Sequence, residues 1–140
     1  MNGWLLDTNI LSELRRPRPE PKVIDFIAKQ PLNTLFVSTV TFAEINFGIE
    51  QIQDAEKRAA LTAWLNMRVR PMFDGRILAV SEEVMLIWRR LVEQGRKTGH
   101  TFPQPDLIIA ATALQHNLTV VSRDTAGYAK TTVPLLNPWD

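Results

Sequence analysis

A chain of 140 residues has the length of one domain, and 45% hydrophobic residues suffice for a core without staples. Cysteine is absent, which excludes a disulfide scaffold and fits a reducing cytoplasm. The net charge of +1 excludes no class of partner, because an acidic site and a basic rim cancel in the sum, but no apolar run approaches the ~20 residues of a membrane span.

Gly3 to Leu6 is apolar throughout and reads as a strand buried on both faces, as in parallel sheets. Asp7 and Asn9 interrupt that run, so no secretory leader is expected. Thr8 or Asn9 caps a short helix through Leu14. Pro17, Pro19 and Pro21 forbid regular structure, and an amphipathic helix with Val23, Ile24, Ile27 and Ala28 on one stripe follows. Leu35 to Ser38 reads as a second strand. It leads into a helix whose stripe is Phe42, Ile45, Ile49 and Ile52, with a break near Gln53–Glu56 and a further helical stretch carrying Leu61, Trp64 and Leu65. Ile77 to Val80 is a third strand. Ser81 caps a helix with Val84, Ile87, Trp88, Leu91 and Val92 inward, stopped at Gly95 or Gly99. Pro103 and Pro105 bracket the next helix start, which runs to Asn117, a residue tolerant of the left-handed conformation. Leu118 to Ser122 is a fourth strand and Val133 to Leu136 a fifth.

Strands alternating with helices predict an α/β sheet with right-handed crossovers, whose ligand site lies at the carboxyl ends of the strands. Asp7 and Asp124 both fall just past such ends, and Glu44 and Asp106 fall in the first turns of two helices. Taken singly, each has a plain explanation: Asp7 an N-cap, Glu44 a surface residue, Asp106 a partner of the helix dipole, Asp124 a turn residue. Taken together they share one topological neighbourhood, where carboxylates beside buried chain need a neutraliser such as Mg²⁺ or Mn²⁺. The apolar girth of the helix around Glu44 predicts that it is shielded from solvent, with Gly48 leaving space beside it.

Leu5-Leu6-Asp7-Thr8-Asn9, Ser38-Thr39-Val40-Thr41-Phe42-Ala43-Glu44-Ile45 with Gly48, Pro105-Asp106-Leu107-Ile108-Ile109-Ala110-Ala111, and Val121-Ser122-Arg123-Asp124 in this order resemble the PIN-domain ribonucleases of the VapC type. The closing Leu136-Asn137-Pro138-Trp139 resembles the FitB-like branch. The resemblance spans residues 1–140 as a single PIN-like domain. It implies a three-layer α/β/α sandwich around a mostly parallel sheet of four to five strands. It also implies an Mg²⁺- or Mn²⁺-dependent endoribonuclease, the toxin of a type II toxin–antitoxin pair, with RNA as substrate, a cognate antitoxin as partner and a homodimer as assembly. Asp7, Glu44 and Asp106 match the family's acids. A second acid often found three residues after position 124 is replaced here by Gly127, which leaves one ion or two open.

On that resemblance Asp7 and Asp106 are expected to bind the ion directly, with Glu44 and Asp124 completing its surroundings. Thr8, Asn9 and Ser122 are expected to orient the carboxylates. Arg15, Arg16 and Arg123 are candidates for phosphate contact, because Arg forks onto phosphate oxygens, although surface solvation explains each one alone. His116, near a helix end, and His100, in the loop before Asp106, are poor general bases. Two alternatives stay open. An acid-rich phosphatase or phosphotransferase would use Asp7 as nucleophile, yet the position two residues on is Asn9 rather than an acid. A non-catalytic binding module would keep the fold alone.

Overall fold

The computed structural model of the chain describes residues 3–99 and 104–140. In chain order its elements are β1 (Gly3–Leu6), α1 (Thr8–Arg15), α2 (Pro21–Lys29), a 3-10 turn (Leu32–Thr34), β2 (Leu35–Ser38), α3 (Thr39–Glu50), α4 (Ala55–Trp64), a π turn (Leu65–Val69) and α5 (Arg70–Met72). β3 (Ile77–Leu78), α6 (Glu82–Lys97), α7 (Gln104–His116), β4 (Leu118–Val121), α8 (Thr125–Tyr128) and β5 (Leu135–Leu136) complete it. The strands form one parallel sheet in the order β3-β2-β1-β4-β5.

Strand alternation divides the core between two faces. Leu5, Leu118 and Val120 turn to a cluster with Val84, Leu91, Leu107 and Ile109 from α6 and α7. Leu6, Leu35, Val37 and Val121 turn to a second cluster with Ile10, Leu11, Val23, Phe42 and Ile49 from α1, α2 and α3. The result is the expected three-layer α/β/α sandwich. Leu5 and Leu6 are 0% and 1% exposed. Each contributes roughly 1.5–3 kcal/mol by leaving water, so the end of β1, and with it Asp7, is firmly placed.

Several boundaries differ from the sequence reading, each for a physical reason. The N-cap of α1 is Asp7, whose carboxylate accepts from Thr8 N, rather than Thr8 or Asn9. Pro21 begins α2 instead of excluding structure, because its missing N–H is one that a first helical turn leaves unpaired anyway. On α2 Val23 is buried and Ala28 exposed, with Phe26 supplying the packing expected of Ala28. α6 runs through Gly95, which is buried, and stops at Gly99 with φ +74°. β3 is only two residues long. β5 starts at Leu135 because Pro134 has no N–H to donate, although its carbonyl accepts from Val120 N at 2.9 Å. Asn117 takes the left-handed conformation expected of it, φ 56°. Pro103 lies outside the described residues, and Pro105 falls in the first turn of α7. Among the described residues no helix is long and apolar enough to cross a membrane.

Candidate functional site

β1 and β4 pair in register, Leu6 opposite Val121, so Asp7 and Ser122 leave the sheet at the same level. One further rung joins them there, Asp7 N donating to Val121 O at 3.0 Å. Parallel strands with matched ends thus bring residues far apart in sequence to one rim.

Asp7 is 4% exposed. Its Oδ1 accepts from Thr8 N at 2.8 Å, and its Oδ2 accepts from Ser122 Oγ at 2.8 Å and Tyr128 OH at 3.0 Å. The Ser122 oxygen in turn accepts from Asn9 Nδ2 and Asp124 N, both at 3.0 Å. Asn9 Oδ1 accepts from Arg123 N at 3.1 Å. Asn9 therefore stitches α1 to the chain leaving β4. Thr8 Oγ1 donates to Glu44 Oε1 at 3.0 Å and ties the start of α1 to α3. Thr8 and Ser122 each bond a carboxylate of the cleft directly, and Asn9 bonds Ser122 instead.

Asp106 lies in the first turn of α7, half-buried, and its Oδ2 is buried without a hydrogen-bond partner. Asp124 caps α8, its Oδ1 accepting from Gly127 N at 3.0 Å. Glu44 is exposed, which corrects the expectation of a shielded residue. α3 turns Phe42 and Ile49 to the core and leaves Glu44, Phe47 and Gly48 facing out.

All four acids line one open cleft of about 670 Å³, with Arg15, Arg16, Arg123 and Trp139 around them. The Arg123 guanidinium lies over the Trp139 ring, 5.1 Å from its centroid. His116 is not among the lining residues, and His100 lies outside the described residues.

Crowded like charge sets the electrostatics. Burial raises the pKa of Asp7 above the ordinary carboxylate value, opposed by the donors Ser122, Thr8 N and Tyr128 and assisted by the charge of Asp124. Asp106 is pushed up to about 8, first by desolvation, then by the Asp124 carboxylate beside it and by the charges of Asp7 and Glu44. Tyr128 is driven above its ordinary range by burial and by the charges of Asp7 and Asp106.

Among the described residues no group of three or more His, Cys, Asp or Glu side chains stands together as a ready metal site. The acids instead surround the cleft as single carboxylates. That arrangement fits Mg²⁺ or Mn²⁺, hard ions that take one or two direct carboxylates and keep several waters. The orphaned Oδ2 of Asp106 is the kind of oxygen such an ion satisfies.

The sequence reading passed over Ser12 and Glu13, which line the cleft, and Tyr128, buried behind it. Glu13, 5% exposed, accepts from Glu20 N at 2.8 Å and from Arg16 Nη1 at 3.2 Å. The first of these bonds, more than the second, holds its carboxyl below the ordinary range. The i, i+3 spacing of Glu13 and Arg16 was the available signal. Tyr128 carried no signal, because its bond to Asp7 spans 121 positions.

Residues 4–132 match the family described as PIN domain. The chain is 36% identical over 135 residues to toxin FitB of Neisseria gonorrhoeae, covering 96% of this chain and 97% of that protein. It is 32% identical over 136 residues to VapC ribonuclease Y4jK of Sinorhizobium fredii, covering 97% of each. Its fold matches a chain of the crystal structure of FitAcB from Neisseria gonorrhoeae with a TM-score of 0.91 and 35% identity, over 97% of this chain and 98% of that one.

Proposed function

The chain belongs to the PIN-domain family, and on that premise we propose that it is a metal-dependent endoribonuclease, the toxin of a toxin–antitoxin pair. The observation that carries this reading is the cleft that collects Asp7, Glu44, Asp106 and Asp124 from four separate parts of the chain. Toxin FitB and VapC ribonuclease Y4jK bear the toxin and ribonuclease parts of the reading in their names.

Asp7 and Asp106 would hold the ion directly, Glu44 and Asp124 would complete its surroundings, and Thr8, Asn9 and Ser122 would orient the carboxylates. When bound, Mg²⁺ or Mn²⁺ offsets charge on the phosphate and makes a coordinated water more acidic. The buried side of the cleft keeps Asp7 out of bulk water. Arg15, Arg16 and Arg123 contact the phosphates flanking the scissile one, and Trp139 holds the Arg123 guanidinium in place.

The partners that go with this reading are RNA, a cognate antitoxin and a second copy of the chain, in the cytoplasm. Phe47 of α3 and Met67 of the π turn, 64% and 76% exposed, are apolar side chains open to a partner. Of the stripe, Phe42, Ile45 and Ile49 pack against the core, whereas Ile52 lies past the end of α3 and is half-buried. The phosphatase alternative requires Asp7 to attack phosphorus. That is poorly served by a carboxylate with two donors on one oxygen and a third on the other.

Incubation of the purified chain with total RNA tests the proposal. Fragmentation in Mg²⁺ or Mn²⁺ that EDTA abolishes is the expected result. Intact RNA together with phosphate release from a small phosphoester would replace the reading with the phosphatase.

A further inference from the structure

We propose that Tyr128, the one tyrosine of the chain, is a positioning residue that makes Asp7 offer a cation a single lone pair on Oδ1. The inference rests on the reading of Asp7 as a metal ligand.

The argument is a count of lone pairs. Each oxygen of an ionised carboxylate accepts about two hydrogen bonds. The Ser122 hydroxyl already accepts two N–H bonds, from Asn9 and Asp124, so its own proton is committed to Asp7 Oδ2. Tyr128 OH donates to the same Oδ2 at 3.0 Å and fills it. Oδ1 carries only the N–H of Thr8 and keeps one position free. Asp7 thereby becomes a one-pronged ligand with a fixed direction instead of a chelating one.

The tyrosine is built for this placement. Its ring is 1% exposed and packs in the cluster with Leu107 and Val120. Its carbonyl accepts both Thr131 N at 3.0 Å and Thr131 Oγ1 at 2.7 Å, which anchors the turn behind it. A phenylalanine would fill the same volume, so packing does not explain the hydroxyl. A buried phenol oxygen needs a partner, and the partner here is the most buried acid of the cleft. Tyr128 also ends α8, the turn capped by Asp124. One short turn with its cap, Asp124 to Tyr128, therefore carries one acid of the site and the group that aims another.

The test is calorimetric titration of the metal-free full chain with Mn²⁺, for the unaltered protein, Tyr128→Phe and Asp7→Asn. Tyr128→Phe is expected to weaken Mn²⁺ binding about 10- to 100-fold, as loss of a hydrogen bond behind a metal ligand does elsewhere. A second readout needs no substitution. With tyrosine labelled by ¹³C at Cζ, the protein gives one signal, which should move on addition of Mg²⁺ with the midpoint of calorimetric binding. Equal Mn²⁺ affinity for Tyr128→Phe and the unaltered protein, or a Tyr128 signal unmoved while Mg²⁺ binds, overturns the role of Tyr128 and leaves the metal reading standing. Failure of the unaltered protein to bind Mn²⁺, or undiminished binding by Asp7→Asn, overturns the metal reading and the inference with it.

Discussion

Gly127 stands where a Cβ would run into Oδ2 of Asp106, the buried oxygen without a hydrogen-bond partner, and into Oδ2 of Asp124. The space a side chain would occupy at position 127 is thus already filled by two of the site's carboxylates. Gly127→Ala should force Asp106 or Asp124 aside. A ligand displaced by an ångström or so costs about 100-fold in rate. Cleavage of a defined RNA should fall by that order while circular dichroism stays unchanged. Full activity in Gly127→Ala would mean that those two carboxylates have room to move.

Removal of the ligand proposed above, Asp7, is the harsher version. Asp7→Asn keeps the size of the side chain and an oxygen to cap α1, but it loses the charge. Cleavage is expected to fall by about 100-fold or more, since even groups behind a metal ligand are worth 10- to 100-fold. The metal-free fold should survive, because the substitution relieves a carboxylate that burial already disfavours. Rates and far-ultraviolet circular dichroism on the same sample check both halves. Retained cleavage by a folded Asp7→Asn protein would remove Asp7 from the mechanism.

The acids also set a pH dependence whose sign can be worked out. Asp7 and Asp106 hold protons more firmly in the fold than in the unfolded chain, where a value near 3.8 applies. Above that value the native state binds more protons, so the contribution of both is full below about pH 4 and is lost as pH rises, for Asp106 through about 8. Glu13 and Glu93 are held low and act below this window. In EDTA the melting temperature should therefore be higher at pH 5 than at pH 8, and Asp106→Asn should flatten the difference. On the proposed metal reading excess Mg²⁺ should narrow it as well, because an ion held there would favour the ionised acids. A melting temperature that rises from pH 5 to pH 8 in EDTA would contradict the crowding of charge.

The meeting of Asp7 with Asp124 was legible in the sequence because it depends only on strand polarity. Each follows an apolar run, and parallel strands put their carboxyl ends on one edge. The stop at Asn117 was legible because its cause is local. The exposure of Glu44 was not, since it depends on which side of α3 the sheet takes, and that helix is apolar most of the way round. Pro21 misled because proline forbids the middle of a helix yet suits its start. Glu13 and Tyr128 were hidden for a third reason. Their partners are set by a chain reversal through Pro17–Glu20 and by the register of β1 on β4. No pattern within a window of the sequence contains the Tyr128–Asp7 bond or the Glu13 bond to Glu20 N, although the i, i+3 spacing of Glu13 and Arg16 was there to be read.

Arg76 provides a stability prediction away from the cleft. Its guanidinium donates to the carbonyls of Leu32 at 2.8 Å, Leu35 at 2.7 Å and Met72 at 2.6 Å. It thereby fastens the edge strand β3, which has only two residues of its own to pair. Arg76→Ala leaves those carbonyls without their donor and should destabilise the fold by about 1–3 kcal/mol. Urea unfolding measures this. Cleavage under native conditions should be unchanged, because none of these residues lines the acid cleft.

Trp139 separates positioning of a phosphate contact from catalysis. Its ring lies beneath the Arg123 guanidinium at the edge of the cleft, a contact worth about 0.5–1 kcal/mol where exposed. Trp139→Ala frees Arg123 to wander, so RNA should bind about two- to fivefold more weakly, the equivalent of that energy. The loss should fall on KM with kcat little altered, because no acid of the site moves. Trp139→Phe restores a ring face and should recover most of the affinity. Arg123→Gln should give a loss at least as large and a shallower dependence of binding on salt, since a phosphate-neutralising charge is gone. A Trp139→Ala protein whose kcat collapses while KM holds would place the indole in the catalytic step and remove it from substrate binding.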